Sequence, residues 1–373
     1  MITVLEVNDR KTYKDFFNLP YILYKKGHPH NVPPLKSEEE DEFDPKVNGA
    51  FAHCESKMFV AYKDGKLAGR VAGILNKKYN EKVGEKQIRF TRYDVIDDIE
   101  VSRALIDRVS AWGKELGMNK LIGPIGFSDF DKQGMLVEGF EEMDLYVTIY
   151  NYPYYVTHME QLGFTKEADW IEFEIKVPDK PDERIDRLCD LTMKRYGFRY
   201  LEIKNFKSVE PYFSIALNEI MNEVYYHLYG YVTMNQQQID RETKLMKQIF
   251  IPDCATAIMH GDELVGYGFM APNISEALKK ANGHIFPKGL VPFIKALKHY
   301  DKVDFYSIGV RKKYQGKGVN AMILNRGLKN LIKNGVKYVY TGPELETNNP
   351  INNQWRGFER RQNRRRRCWG KEI

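Results

Sequence analysis

The chain has 373 residues, 43% hydrophobic and 13% aromatic, with 57 Lys and Arg against 51 Asp and Glu for a net charge of +6. That is enough apolar mass for one large domain or two ordinary ones, and it excludes a disordered chain. No apolar run reaches the ~18 residues of a membrane helix, the N-terminus has no secretory-signal pattern, and Cys54, Cys189, Cys254 and Cys368 form no CxxC pair, so a reduced cytoplasmic protein with no disulfide framework, no metal and no membrane partner is expected.

In chain order, the acidic run Glu38 to Glu42 in a Pro-flanked stretch reads as a solvated surface loop. Phe59 to Ile74 (FVAYKDGKLAGRVAGI) has the pattern of a hairpin: apolar strand, Gly/Asp turn, second strand. Ile88 to Val95 alternates like a strand, VSRALIDRVSAWGKELG has helical spacing and ends in Gly, and KLIGP is a short strand. YNYPYYVTHMEQLGF and DWIEFEIKV close this set as a helix and a strand, and Val177 to Asp182, with two prolines, is a natural linker.

The same order then recurs. Helices such as SVEPYFSIALNEIMNEVYYHL precede a second hairpin, Ala257 to Met270, whose Leu264 and Gly266 match Leu67 and Gly69 at one constant offset. VDFYSIGV, NAMILNRGLKNLIKNG and KYVYTGP repeat strand, helix and strand, and NNPINNQWRGFERRQ with RRRRCW closes the second copy. The expected architecture is α/β, two consecutive domains at 1–178 and 179–373, each a twisted mixed sheet flanked by helices, with Arg364 to Trp369 as the last strand of the second.

Ser307 to Leu324 (SIGVRKKYQGKGVNAMIL) joins a strand to a helix through a Gly-rich basic turn. Glycines let the backbone approach a ligand, and the first turn of a helix offers unpaired N–H groups with partial positive charge, so together they can cradle a pyrophosphate. Arg311, Lys312, Lys313 and Lys317 add charge. The spacing is neither the dinucleotide fingerprint nor a P-loop.

This segment resembles the acetyl-CoA motif of the GNAT acetyltransferase superfamily, with Gln315, Gly316, Lys317, Gly318, Val319 and Asn320 on its Gln/Arg-x-x-Gly-x-Gly/Ala pattern; Asn320 departs from the last position. The order of elements over 199–373 fits the family, and its echo upstream makes the chain similar to a tandem-GNAT protein. Alignment of the halves puts Asp97, Asp98, Ile99 and Glu100 where the second has Gln315 to Gly318. Carboxylates facing a pyrophosphate repel it, so only the second half is expected to bind CoA. The first half is left as scaffold or as one wall of the acceptor pocket.

The resemblance implies direct attack of a primary amine on an acyl-CoA thioester in a ternary complex. It implies that the backbone of Ile308, Gly309 and Val310 holds the pantetheine arm, with one N–H polarising the thioester oxygen, and that Asn348 contacts the cosubstrate. The family often has a Tyr in the last helix as acid; here that stretch offers Trp355 and Phe358. Candidates for proton transfer are Glu344, Glu346 and Tyr340, all on or just past the KYVYTGP strand. Four tyrosines within Tyr225 to Tyr231 suggest a pocket wall at Tyr226, Tyr229 and Tyr231.

Ile351 to Ile373 holds seven Arg and one Lys against two Glu, which is the whole net charge of the chain. Such a local field suggests an anionic partner; strand arginines without interleaved aromatics argue against nucleic acid. The expected function is a CoA-dependent N-acetyltransferase, monomer or homodimer, acting on a small-molecule or peptide amine. Two alternatives share the fold: an aminoacyl-tRNA-dependent peptidyl ligase, and a non-catalytic acyl-CoA-binding or scaffold module.

Overall fold

The computed structural model describes residues 1–24 and 27–373. Both expected hairpins are present. The strands of the first half are β1 (Ile2–Glu6), β2 (Cys54–Lys63), β3 (Lys66–Asn76), β4 (Gln87–Val95), β5 (Lys120–Gly123), β6 (Met135–Glu138) and β7 (Thr165–Lys176). Those of the second are β8 (Phe198–Tyr200), β9 (Ala255–His260), β10 (Glu263–Pro272), β11 (Lys302–Val310), β12 (Tyr338–Thr341), β13 (Glu344–Leu345) and β14 (Arg360–Glu372).

All fourteen join one mixed sheet, ordered β1-β2-β3-β4-β5-β14-β7-β12-β11-β10-β9-β8, with β6 beside β14 and β13 beside β7. The repeat is visible as two equivalent crossovers: β4 runs parallel to β5, and β11 parallel to β12, each pair bridged by a long helix, Ile99–Glu115 or Val319–Lys333. The matched glycines have one physical job in both copies. A Cβ on Gly69 would lie 2.7 Å from Leu105 of the first helix, and one on Gly266 2.9 Å from Val319 of the second. Only a bare backbone lets each helix settle on its hairpin.

The closing strands correct the simple reading of two self-contained halves. β14 lies against β5 and β6 of the first half, and β7 lies against β12 and β13 of the second. Each half therefore lends its last strand to the other, and the two lent strands pair antiparallel along the centre, from Arg360 opposite Ile175 to Gly370 opposite Thr165.

That exchange also explains the arginines. Arg364 and Arg366 are buried and both bond Glu172 of β7, each through Nε at 2.6 Å. Arg366 also reaches Asp144, and Arg365 and Arg367 share Asp169. Burial alone would raise the Glu172 carboxyl; the two guanidinium charges override it and hold it below its usual range. The anionic partner expected for the C-terminal charge is thus the chain's own set of carboxylates. Among the described residues, no helix is long and apolar enough to cross a membrane.

Candidate acyl-CoA site and acceptor cavity

β11 and β12 stay paired only from Lys302 opposite Tyr338 to Phe305 opposite Thr341. Past that point they separate. β11 continues along β10 to Val310, while the other chain turns through Gly342 and Pro343 and pairs with β7 at Glu344 and Leu345. The split opens a backbone edge at Ile308. The Tyr225 hydroxyl sits against it, donating to the Ile308 carbonyl at 2.7 Å and standing 3.4 Å from the Ile308 nitrogen.

Beyond β11 the turn has the form a pyrophosphate needs. Gly316 and Gly318 have φ of +74° and +82°, and Gly318 is the N-cap of the Val319–Lys333 helix, with no side chain capping the exposed N–H groups. A Cβ at Gly316 would meet nothing within 4 Å, so the approach is open from solvent. Gln315 ties the turn back by donating to the Val310 carbonyl at 3.0 Å, and Asn320 bonds Gln354 at 3.3 Å. Arg311 is paired with Glu219, Glu223 and Glu263, and Lys313 with Glu263, whereas Lys317 lies over the Tyr314 ring. A phosphate group fits this turn.

The first half lacks both features for a visible reason. Asp98 caps the Ile99–Glu115 helix by accepting from the N–H groups of Glu100 and Val101. The backbone of Val95, which aligns with Val310, is occupied: its N–H donates to Tyr155 at 2.9 Å and its C=O accepts from Tyr154 at 2.7 Å. Two tyrosines close the first split at Val95, whereas in the second a single tyrosine, Tyr225, stands at Ile308.

A cavity of about 370 Å³ starts at Ser307, Ile308 and Glu344 and runs between the halves. Glu344 faces it, held by the Trp355 indole N–H, and burial pushes its carboxyl up to about 8. Asn348 and Tyr229 also line it. Tyr226 and Tyr231 do not: Tyr226 is half exposed over Lys82, and the Tyr231 hydroxyl donates to Asn222. Glu346 is engaged by Lys166 and Arg365, and the Tyr340 hydroxyl donates to Glu174, so both stand in ion-pair and sheet networks outside the cavity.

The acidic run of the first half is not a solvated loop. Lys36–Glu42 is a helix, Glu39 and Glu42 are buried, and Glu38, Glu39 and Glu42 line the cavity together with Asp129, Asp131 and Glu242. Lys132 and Arg241 are the cations on the same wall. Burial raises Glu42, against the pull of Arg92, and raises Asp129 and Glu242 to about 7. Glu42 Oε1 and Asp129 Oδ1 are buried and, among the described residues, have no hydrogen-bond partner. Nothing in the periodicity of KSEEEDE marks it as buried, because its counter-charge Arg92 lies on β4, far along the chain. Tyr225 was legible only as one ring in a tyrosine-rich run.

The chain has the tandem GNAT fold. It superposes over its whole length on a tandem GNAT protein from the clavulanic acid biosynthesis pathway, with a TM-score of 0.56, 13% identity and 98% of that chain covered. A GCN5-related glucosamine N-acetyltransferase region of a fungal multi-domain β-N-acetylglucosaminidase superposes with a TM-score of 0.57 at 13% identity, over all of this chain and 38% of that one. In sequence, protein YghO of Escherichia coli is 27% identical over 385 residues, spanning all of this chain and 95% of its own length. A bacterial ceramide synthase of Caulobacter vibrioides is 24% identical over 328 residues, 84% of this chain and 82% of its own. No protein-family model matches the chain.

Proposed function

We propose that the protein is a CoA-dependent N-acyltransferase that moves an acyl group from its CoA thioester to a primary amine in a ternary complex. One juxtaposition supports this above all: the edge of β11 at Ile308, which β12 leaves without strand pairing, and the half-buried carboxyl of Glu344 face one cavity. The bound thioester supplies the activated acyl carbon. The Gly316–Gly318 turn holds its pyrophosphate, with Lys317 beside it. Ile308 and its neighbours Gly309 and Val310 hold the pantetheine arm, and an N–H of that edge polarises the carbonyl oxygen. Glu344 takes a proton from the attacking ammonium or amine, a task suited to a carboxyl near 8. Tyr225, whose burial keeps it protonated, returns a proton to the leaving thiolate. Val319, Asn320 and Asn348 complete the cosubstrate contacts.

The amine class follows from the far wall. Carboxyls outnumber cations in the lining and, among the described residues, three of their buried oxygens, on Glu42, Asp129 and Asp304, lack partners, which favours a cationic head group; the rest of the wall is apolar, including Phe213, Leu217, Ile274 and Phe293. We infer a long-chain amine as acceptor. A ceramide is itself the amide of a fatty acid and a long-chain amino alcohol, so the Caulobacter relative's name agrees with this chemistry. The test is free-thiol release with acetyl-CoA and palmitoyl-CoA across short polar, polyamine and long-chain amines. Thiol release that requires both a CoA ester and a long-chain amine is expected. CoA binding with no release from any pair would overturn the enzyme reading in favour of a binding module.

A further inference from the structure

The helix Leu290–Lys298 is apolar on both of its faces, although none of its residues is buried. Its inner side, with Phe293 and the preceding Ile285, lines the cavity. Its outer side carries Val291 at 73% exposure and Ile294 at 43%, continued by Phe286 at 79% in the turn before it. A helix hydrophobic all round is normally covered by other apolar matter, and an apolar patch of this kind on a surface marks an interaction site. Lys280, Lys288, Lys295 and Lys298 frame the patch, all exposed and, among the described residues, without an ion-pair partner. From Ser275 to His299 the only acidic residue is Glu276.

We propose that this segment, residues 275–299, docks on the surface of an anionic phospholipid bilayer, with Phe286, Val291 and Ile294 inserted among the acyl chains and the four lysines at the phosphates. The lysines choose this occupant. A two-fold contact with a second copy of the chain would oppose like charges across an apolar centre, whereas apolar residues flanked by lysines suit an anionic interface. The contact is peripheral: the helix Leu290–Lys298 has 9 residues, too short to span a bilayer. It also brings the membrane against a helix that walls the cavity through Phe293, and this second point alone rests on the acceptor being a lipid amine. The docking itself does not.

The full chain is floated on sucrose gradients with vesicles of phosphatidylcholine alone and of phosphatidylcholine with one quarter phosphatidylglycerol, without any CoA ester. Flotation with the anionic vesicles is expected, at least tenfold weaker with the neutral ones. Val291→Asp with Ile294→Asp is expected to lose at least tenfold in binding, and Lys295→Glu with Lys298→Glu a similar factor, while both variants keep the wild-type melting temperature and acetyl-CoA-induced thermal shift. If a variant melts early, Phe286→Ser in the preceding turn replaces it. Wild-type protein that floats with neither vesicle, apolar-face variants that float as well as wild type, or a dimer in light scattering that the Asp variants disperse without any flotation overturns the docking. Flotation without an acetyl-CoA shift overturns the acyltransferase reading and leaves the docking standing.

Discussion

Trp355 donates its indole N–H to both oxygens of Glu344, at 2.9 and 3.1 Å. Where the GNAT resemblance leads one to look for a tyrosine acid, this chain has an indole that can only donate, and it donates to the carboxylate best placed to act as base. Glu344→Gln is expected to lower kcat by about 10²- to 10⁴-fold with acyl-CoA affinity kept. Trp355→Phe removes the donor that favours the ionised form, so its rate–pH profile shifts to higher pH while Glu344→Asp retains a measurable rate. Stopped-flow thiol release against pH reads both.

Gly316→Trp is expected to abolish acetyl-CoA binding in calorimetry. Its backbone needs φ near +74°, a strain of about 1–2 kcal/mol for an L residue, but among the described residues nothing beyond its chain neighbours stands within 4 Å of a Cβ there, so the fold survives and the ring fills the phosphate approach. At Gly318 the same change also presses on Thr192, 3.1 Å from a Cβ, and a lower melting temperature accompanies the loss of binding.

Glu172→Gln leaves Arg364 and Arg366 facing each other in a dry site with one neutral amide between them. A loss of about 3–5 kcal/mol in unfolding free energy is expected, measured by urea denaturation. Because Glu172 is on β7 and both arginines are on β14, the exchanged strands should loosen first, seen as faster amide exchange along both.

The cavity carboxyls make stability depend on pH in an unusual direction. Glu344 near 8, Asp129, Glu242 and Asp304 near 7, and Glu42 above its usual range, are all raised by burial. The folded chain then holds protons that the unfolded chain has lost, so stability falls as pH rises from about 5 through 8. The ligand-free protein is expected to melt lower at pH 8.5 than at pH 6. A bound cationic amine, which lets these groups ionise, should narrow that difference.

Much of the site was readable along the chain because its parts are local. A turn, the helix it starts and the strand before it lie within Ser307 to Leu324, and glycine spacing reports directly on backbone conformation there. The two matched hairpins were readable for the same reason. Glu346, Tyr340, Tyr226 and Tyr231 were plausible by proximity in sequence. Tyr340 points elsewhere because a strand sends neighbours to opposite faces and only the packed sheet says which face is wet; Glu346, Tyr226 and Tyr231 lie outside the strands, and their directions were set by tertiary partners or, for Tyr226, left half exposed. Glu38 to Glu42 misled in the opposite sense: charge density in a short run says surface unless its counter-ions are known, and Arg70 and Arg92 are brought to it by β3 and β4.

What the sequence by itself determined is the order of the elements, the duplication, and the single Gly-rich turn with acids in its counterpart, all set by hydrophobic period and by residues within a few positions of each other. The tertiary structure alone decided three things: that the halves exchange their last strands, that the C-terminal arginines spend their charge inside the chain, and that the acidic helix of the first half walls the cavity of the second. The first two depend on pairing between residues more than a hundred positions apart, and the third on ion pairs as far as 53 positions apart. Such pairings are selected by the burial and charge compensation of the whole sheet, to which no local pattern gives access.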